Sequence, residues 1–214
     1  MPVNAGSNPN VVLGSTSCPS AGNCTAIGTY EDGLGDYQGL LLSESAGRWA
    51  SGIQAPLPAT AGPNPGVSID SVSCTSAGNC VAVGDYTDTS GHAQGLLLLE
   101  ASGTWTGVEA TLPANAGSNP SVELFSVSCP SPGNCSAVGN YHDSSSDQQG
   151  LLLSETSGSW TAVKATLPAL AGPEPVVQLF SVSCASSGDC SAVGRYTDSS
   201  GTVSYTHLRA HETG

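Results

Sequence analysis

Residues 121–175 read SVELFSVSCPSPGNCSAVGNYHDSSSDQQGLLLSETSGSWTAVKATLPALAGPEP, and most of that string recurs elsewhere in the chain. Cys129 and Cys135 form a C-x5-C pair. Cys18/Cys24, Cys74/Cys80 and Cys184/Cys190 repeat it at intervals of 55 or 56 residues. The other copies keep the same internal spacings, except for one residue added between Trp49 and Leu57. A fixed period of this length marks a repeat architecture, in which each unit buries its apolar face against its neighbours.

Each unit resolves into four short strand-like runs. In VELFSVSC, alternation puts Val122, Leu124, Ser126 and Ser128 on one face and Phe125, Val127 and Cys129 on the other. CSAVGNY follows through a tight loop whose Gly and Asn tolerate positive φ. GLLLSE is continuously apolar, as in a strand covered on both sides. The fourth run begins at Trp49, Trp105 or Trp160 and ends at Leu-Pro. Proline cannot donate to a sheet ladder, so LPATAGPNP, LPANAGSNP and LPALAGPEP read as links between units. The expected fold is all-β: a fragment of a β-propeller built from four-stranded antiparallel blades with a repeat of about 55 residues, the blade length and strand count of that architecture. A parallel β-solenoid is the alternative. Residues 1–202 form the partial propeller, with units at about 10–65, 66–120 and 121–175 and an incomplete one at 176–202.

Composition narrows the partners. With 4 Lys+Arg against 17 Asp+Glu, a formal charge of −13 repels phosphate backbones and anionic lipid headgroups. Nucleic acid is therefore not expected as a partner. No apolar run reaches the ~18 residues a membrane-spanning helix needs, so no membrane insertion is expected.

The cysteines call for one local explanation used four times. Each pair would sit at facing ends of adjacent antiparallel strands, a separation that a disulfide spans. Free structural thiols and zinc are the competing readings, and zinc needs four ligands where each hairpin offers two. Disulfides imply a secreted or cell-surface protein. MPVNAGSNP lacks the basic start and apolar stretch of a signal peptide and aligns with the link LPANAGSNP, so the sequence reads as truncated, with blades of the same chain as missing partners.

The runs SETSGSW, SESAGRW and EASGTW resemble a degenerate Asp-box, the turn between third and fourth strands in sialidase-type propellers, with the Asp absent from every copy. SVSCTSAGNCVAVGDY and SVSCPSPGNCSAVGNY are also similar to repeats of secreted actinobacterial proteins loosely labelled sialidase-like. The resemblance implies the fold and says little of activity. In that family, three arginines hold the substrate carboxylate and a Tyr nucleophile is assisted by Glu. Here Arg48, Arg195 and Arg209 are the only arginines.

The loop after the second run is acidic in every copy: YEDGLGDYQG, YTDTSGHAQG, YHDSSSDQQG and YTDSSG. Asp32, Asp88, Asp143 and Asp198 hold one equivalent position. Each is expected to cap a turn through its own backbone. Asp32 with Asp36, or Asp143 with Asp147, could instead supply oxygens to weakly bound calcium. Tyr37, His92 and His142 vary between copies and are the expected ligand contacts on this rim. Tyr30, Tyr86, Tyr141 and Tyr196 recur in every copy, and recurrence favours packing between blades over sugar stacking. Glu44, Glu100 and Glu155 read as turn architecture, because a catalytic acid is a single residue in a single site.

No catalytic residue and no cofactor are expected in this chain. The leading functional expectation is a binding or display module for extracellular glycan or protein. The alternatives are a fragment of a sialidase-like glycan hydrolase or lyase whose catalytic residues lie in missing blades, and a calcium-dependent adhesin. At residues 203–214 the repeat is lost, and VSYTHLRAHET resembles one reading frame of a transposase-type sequencing adapter, as in a metagenomic read. The tail reads as non-native, so His207, His211 and Glu212 are not taken as metal ligands despite their spacing.

Overall fold

The structure is a computed structural model that describes residues 1–172 and 174–210, and the backbone alone at residues 207, 209 and 210. Strands β1 (Val12–Ser20), β2 (Asn23–Glu31), β3 (Tyr37–Ser45), β4 (Arg48–Trp49) and β5 (Ile53–Gln54) form the first sheet. The second holds β6 (Ser68–Ser76), β7 (Asn79–Thr87), β8 (Ala93–Ala101) and β9 (Thr104–Glu109). The third holds β10 (Glu123–Ser131), β11 (Asn134–His142), β12 (Gln148–Thr156) and β13 (Ser159–Lys164). The fourth holds β14 (Gln178–Ser186), β15 (Asp189–Thr197) and β16 (Val203–Ala210). Among the described residues there is no helix, and every ladder is antiparallel; all but β3–β5 join strands consecutive in the chain. Antiparallel meanders are propeller blades; the coils of a parallel solenoid would pair in parallel. The chain divides into two compact units, Met1–Ala110 and the remainder from Thr111.

The strands follow the repeat, with two departures. Strict alternation along the first strand of each unit fails, because the register shifts between Leu124 and Ser126, and equally between Ile69 and Ser71 and between Leu179 and Ser181. One extra residue in a ladder is a β-bulge, and it resets which side chains face the core. Ile69 and Val72, three apart, therefore share one cluster, and Leu179 and Val182 share another. The residue added after Trp49 has a similar effect, splitting the fourth run of the first unit into β4 and β5.

Within each compact unit, one sheet seats the next. An added Cβ on Gly39 would lie 2.7 Å from both the Ala55 Cβ and the Ile69 Cδ1. On Gly150 it would lie 2.8 Å from the Ala165 Cβ and 3.1 Å from the Val177 Cγ1. The repeated Gly thus makes a hollow into which Val67 and Ile69, or Val177 and Leu179, of the following unit plug. The first-strand serines tie the same joint: Cys74 N–H donates to Ser17 Oγ (3.0 Å), and Cys184 N–H donates to Ser128 Oγ (3.1 Å).

All eight cysteines are paired, as Cys18–Cys24, Cys74–Cys80, Cys129–Cys135 and Cys184–Cys190, with Cα separations of 4.0–4.1 Å. A disulfide sulfur carries no hydrogen, so the Thr25 hydroxyl donates to Cys80 Sγ (3.4 Å) and the Ser136 hydroxyl to Cys190 Sγ (3.2 Å). Each of these bridges therefore also lies against the preceding sheet. The Asp-box-like runs fold as two-residue hairpin turns with both central residues at positive φ, for example Ser157 (52°) and Gly158 (81°). Their Glu residues face Trp across the ladder, as Glu44–Trp49, Glu100–Trp105 and Glu155–Trp160.

Strand β16 begins at Val203, where the repeat is lost from the sequence, and still pairs with β15. Leu208 lies opposite Ala192 as Leu153 lies opposite Ala137, while Tyr205, 81% exposed, stands at the position of Gly150. The grouping of His207, His211 and Glu212 lies outside the described residues.

Candidate functional site

The acidic loops fold alike. Asp32 Oδ1 accepts the backbone N–H of Leu34 (2.9 Å) and Asp36 (3.1 Å), and its Oδ2 accepts Gln38 Nε2 (3.0 Å). Asp88 accepts Ser90, His92 and Gln94 in the same way, at 2.7–2.9 Å, and Asp143 accepts Ser145, Asp147 and Gln149 at 2.8–3.1 Å. Asp198 accepts the backbone N–H groups of Ser200 and Thr202, both at 2.9 Å. Each carboxylate closes its own loop, and the reading of these residues as turn caps holds.

Donated hydrogen bonds favour the ionised form and hold all four carboxyls below the usual range. The leading contributor is the Asp36 amide for Asp32, the His92 amide for Asp88, and the Ser200 hydroxyl for Asp198. At Asp143 partial burial pushes upward most strongly, but the amides of Asp147 and Ser145, the Gln149 side chain and the Lys164 charge together outweigh it. Among the described residues no three His, Cys, Asp or Glu side chains gather as a metal site.

The Pro-rich link preceding each unit docks on this loop. Isolated bridges join Ala5 to Asp32, Ala61 to Asp88, Ala116 to Asp143 and Ala171 to Asp198. The recurring tyrosines anchor the link from below: the hydroxyl of Tyr30 donates to Asn4 Oδ1 and that of Tyr141 to Asn115 Oδ1, each at 2.8 Å. Their rings are fully buried, so they pack rather than stack on sugar. Trp105 is buried too, but Trp49 is 51% exposed.

In the second unit the tyrosine hydroxyl meets a carboxylate, Tyr86 donating to Glu109 Oε2 (2.8 Å). Tyr86 is fully buried, so this Tyr–Glu pair is part of the packing beneath the link. Burial first, then Glu109 itself, raises the phenol well above its ordinary pKa, fixing it as a donor. Of the arginines whose side chains are described, Arg48 lies at a hairpin turn and Arg195 is bonded to Gln178 (2.8 Å).

The expected ligand contacts are distributed over these loops. Tyr37 is 48% exposed at the start of β3, and its bond to Glu31 raises the phenol. Asp36, His92, His142 and Asp147 are half-buried on successive loops, His92 and Asp147 each contributing a backbone N–H to the local aspartate.

Asp143 and Asp147 come together with residues that sequence reasoning had not singled out. They line an open recess of about 510 Å³ with Gln149, Lys164 and Thr166, walled by the following link. The available signal was charge variation in otherwise matching copies: Gln54, Glu109 and Lys164 occupy one position.

No protein-family model matches the chain, and no curated protein does. Among solved structures it is similar to a triple arginine-to-alanine mutant of AofleA from Arthrobotrys oligospora, at 13% identity and a TM-score of 0.46, covering 96% of this chain and 55% of that one. A subtype N11 neuraminidase-like protein of A/flat-faced bat/Peru gives 12% and 0.46, covering 96% and 53%. A xylan β-1,4-xylosidase from Bacillus halodurans C-125 gives 14% and 0.40, covering 97% and 43%. The chain thus spans about half the length of these proteins. Likenesses at such scores carry no argument about activity, and the fold rests on the strand order and register described above.

Proposed function

We propose that this chain is an extracellular binding module that presents variable polar residues on a constant repeat scaffold, with glycan as the principal ligand class and protein as the second. One observation carries the reading. The loops are held by an identical Asp-to-amide network, while the residues displayed beside it change from copy to copy: Asp36 and Tyr37, then His92, then Asp147 with Lys164. Loops that vary around a rigid frame are where binding surfaces are built. The disulfides support an oxidising, extracellular setting.

The test is a microarray of extracellular glycans probed with the labelled full chain. Saturable binding is expected, lost when Tyr37→Ala, His92→Ala and Lys164→Ala are combined, with the melting temperature unchanged. A chain that retains no glycan, or a triple variant that binds as before, would sink the glycan reading.

A further inference from the structure

We infer that the recess of the third unit is a saccharide subsite that takes a neutral vicinal diol, with Gln149 and Lys164 as its discriminating contacts. The inference rests on the binding-module reading and names its ligand chemistry.

Gln149 is 2% exposed, and its orientation is fixed. Its Nε2 donates to Asp143 Oδ2 (2.8 Å), and only the NH2 end of an amide can face a carboxylate. The Oε1 end is thereby turned away and is buried without a hydrogen-bond partner. A buried acceptor left unmade costs stability, so the position is one that a ligand donor would repay.

The first unit shows what the same position looks like when closed. Gln38, the counterpart of Gln149, accepts Gln54 Nε2 on its Oε1 (2.8 Å), and Gln54 also accepts Asn4 Nδ2 (3.2 Å). There the last side chain of β5 supplies the missing donor internally. In the second unit that position is Glu109, which is held by Thr60 (2.7 Å) and Tyr86 (2.8 Å). In the third it is Lys164, and Tyr141 is satisfied by Asn115 instead. The third unit therefore combines a buried acceptor without a partner, a cation and the Asp147 carboxylate around one recess.

The arrangement suits adjacent hydroxyls, since each hydroxyl both donates and accepts. One would donate to Gln149 Oε1, and its neighbour would accept from Lys164 Nζ and donate to Asp147. An anionic sugar is disfavoured, because Asp143 is held ionised and the chain carries a net −13.

The test is titration of the ¹⁵N-labelled full chain with methyl β-galactoside, methyl β-glucoside and glucuronate, read on the side-chain amide resonances. The Gln149 NH2 signals are expected to shift with a neutral glycoside and those of Gln38 to stay. Lys164→Gln copies the closed first unit, so it should weaken binding at least about tenfold, the value of one hydrogen bond to a ligand. Its melting temperature should be unchanged or higher, which separates loss of the site from loss of fold. Lys164→Ala, which leaves the Gln149 acceptor open, should weaken binding less than Lys164→Gln. Equal affinity in Lys164→Gln and wild type, tighter binding of glucuronate than of the glucoside, or no Gln149 response to any of the three would each overturn the inference. If array binding persists in that event and depends on Tyr37 or His92, the module reading survives; if the chain binds nothing, both fall.

Discussion

An aspartate that accepts two backbone amides stays ionised at a lower pH than a free one, and the four loop aspartates share this state. Their folded pKa values lie below the unfolded value of about 3.9, so the stability they contribute is fully present above that pH and is lost as pH falls through the folded values. Glu100 and Glu155 act with the opposite sign. Burial raises both, and one carboxylate oxygen of each has no partner. Their folded forms bind a proton more tightly than the unfolded chain does, so stability rises as pH falls through their folded values toward the unfolded one, near about 4.3. Thermal melts across pH should therefore show a maximum on the mildly acidic side of neutrality, followed by a fall below about pH 4. Glu100→Gln with Glu155→Gln should raise the neutral-pH midpoint and remove the acid gain; a steady decline from pH 7 downward in wild type would contradict this account. The capping role of each Asp was legible because Asx chemistry is local, reaching two to four residues along the chain. The role of Gln149 was not, since it depends on β11–β12 register and on which side chain the next strand brings alongside.

At the level of elements, the joints between sheets are set by a missing side chain. Gly150→Val would drive new atoms into Ala165, just after β13, and Val177, just before β14, both buried. Overpacking of this kind costs roughly 1–3 kcal/mol, and urea titration should show it as a lower midpoint at unchanged slope. Gly84 is tighter still: a Cβ there would lie 2.0 Å from the Ser68 carbonyl oxygen at the bulge of β6. Gly84→Ala is expected to be the more damaging change, although it adds a single carbon, because backbone cannot rotate aside. Converting Cys74 and Cys80 to Ser should cost about 2 kcal/mol for so short a loop. Thiol titration of the denatured, unreduced wild-type chain should find almost no free thiol; eight would refute the pairing. Strand identity and the disulfides were readable from the repeat itself. The bulges were not, because an alternating string looks the same whether or not one residue is extruded, and neither was the seat on Gly39 and Gly150, which needs knowledge of the facing sheet.

For the whole chain, the balance to watch is between charge and uncovered apolar surface. Val11 and Leu13 are 42% and 54% exposed, while their counterparts Val67 and Ile69, plugged into the preceding sheet, are at 3%. Phe180 and Val193 are likewise 43% and 48% exposed in the fourth sheet. A net charge of −13 opposes self-association at low ionic strength, and salt removes that protection as the screening length drops below about 10 Å. Light scattering should therefore rise with added salt, and Leu13→Glu should suppress the rise; a chain that stays monomeric at high salt and high concentration would contradict this expectation. The repeat and its period were plain in the sequence, since both are matters of self-comparison. The two joints described, one in each compact unit, use the same plug of Val with Ile or Leu and the same hollow of Gly with Ala. A connector of fixed gauge makes units interchangeable: a gene segment spanning one repeat can be copied, dropped or exchanged without redesigning its neighbours. Selection can then tune the number of repeats and the chemistry of each rim as independent quantities.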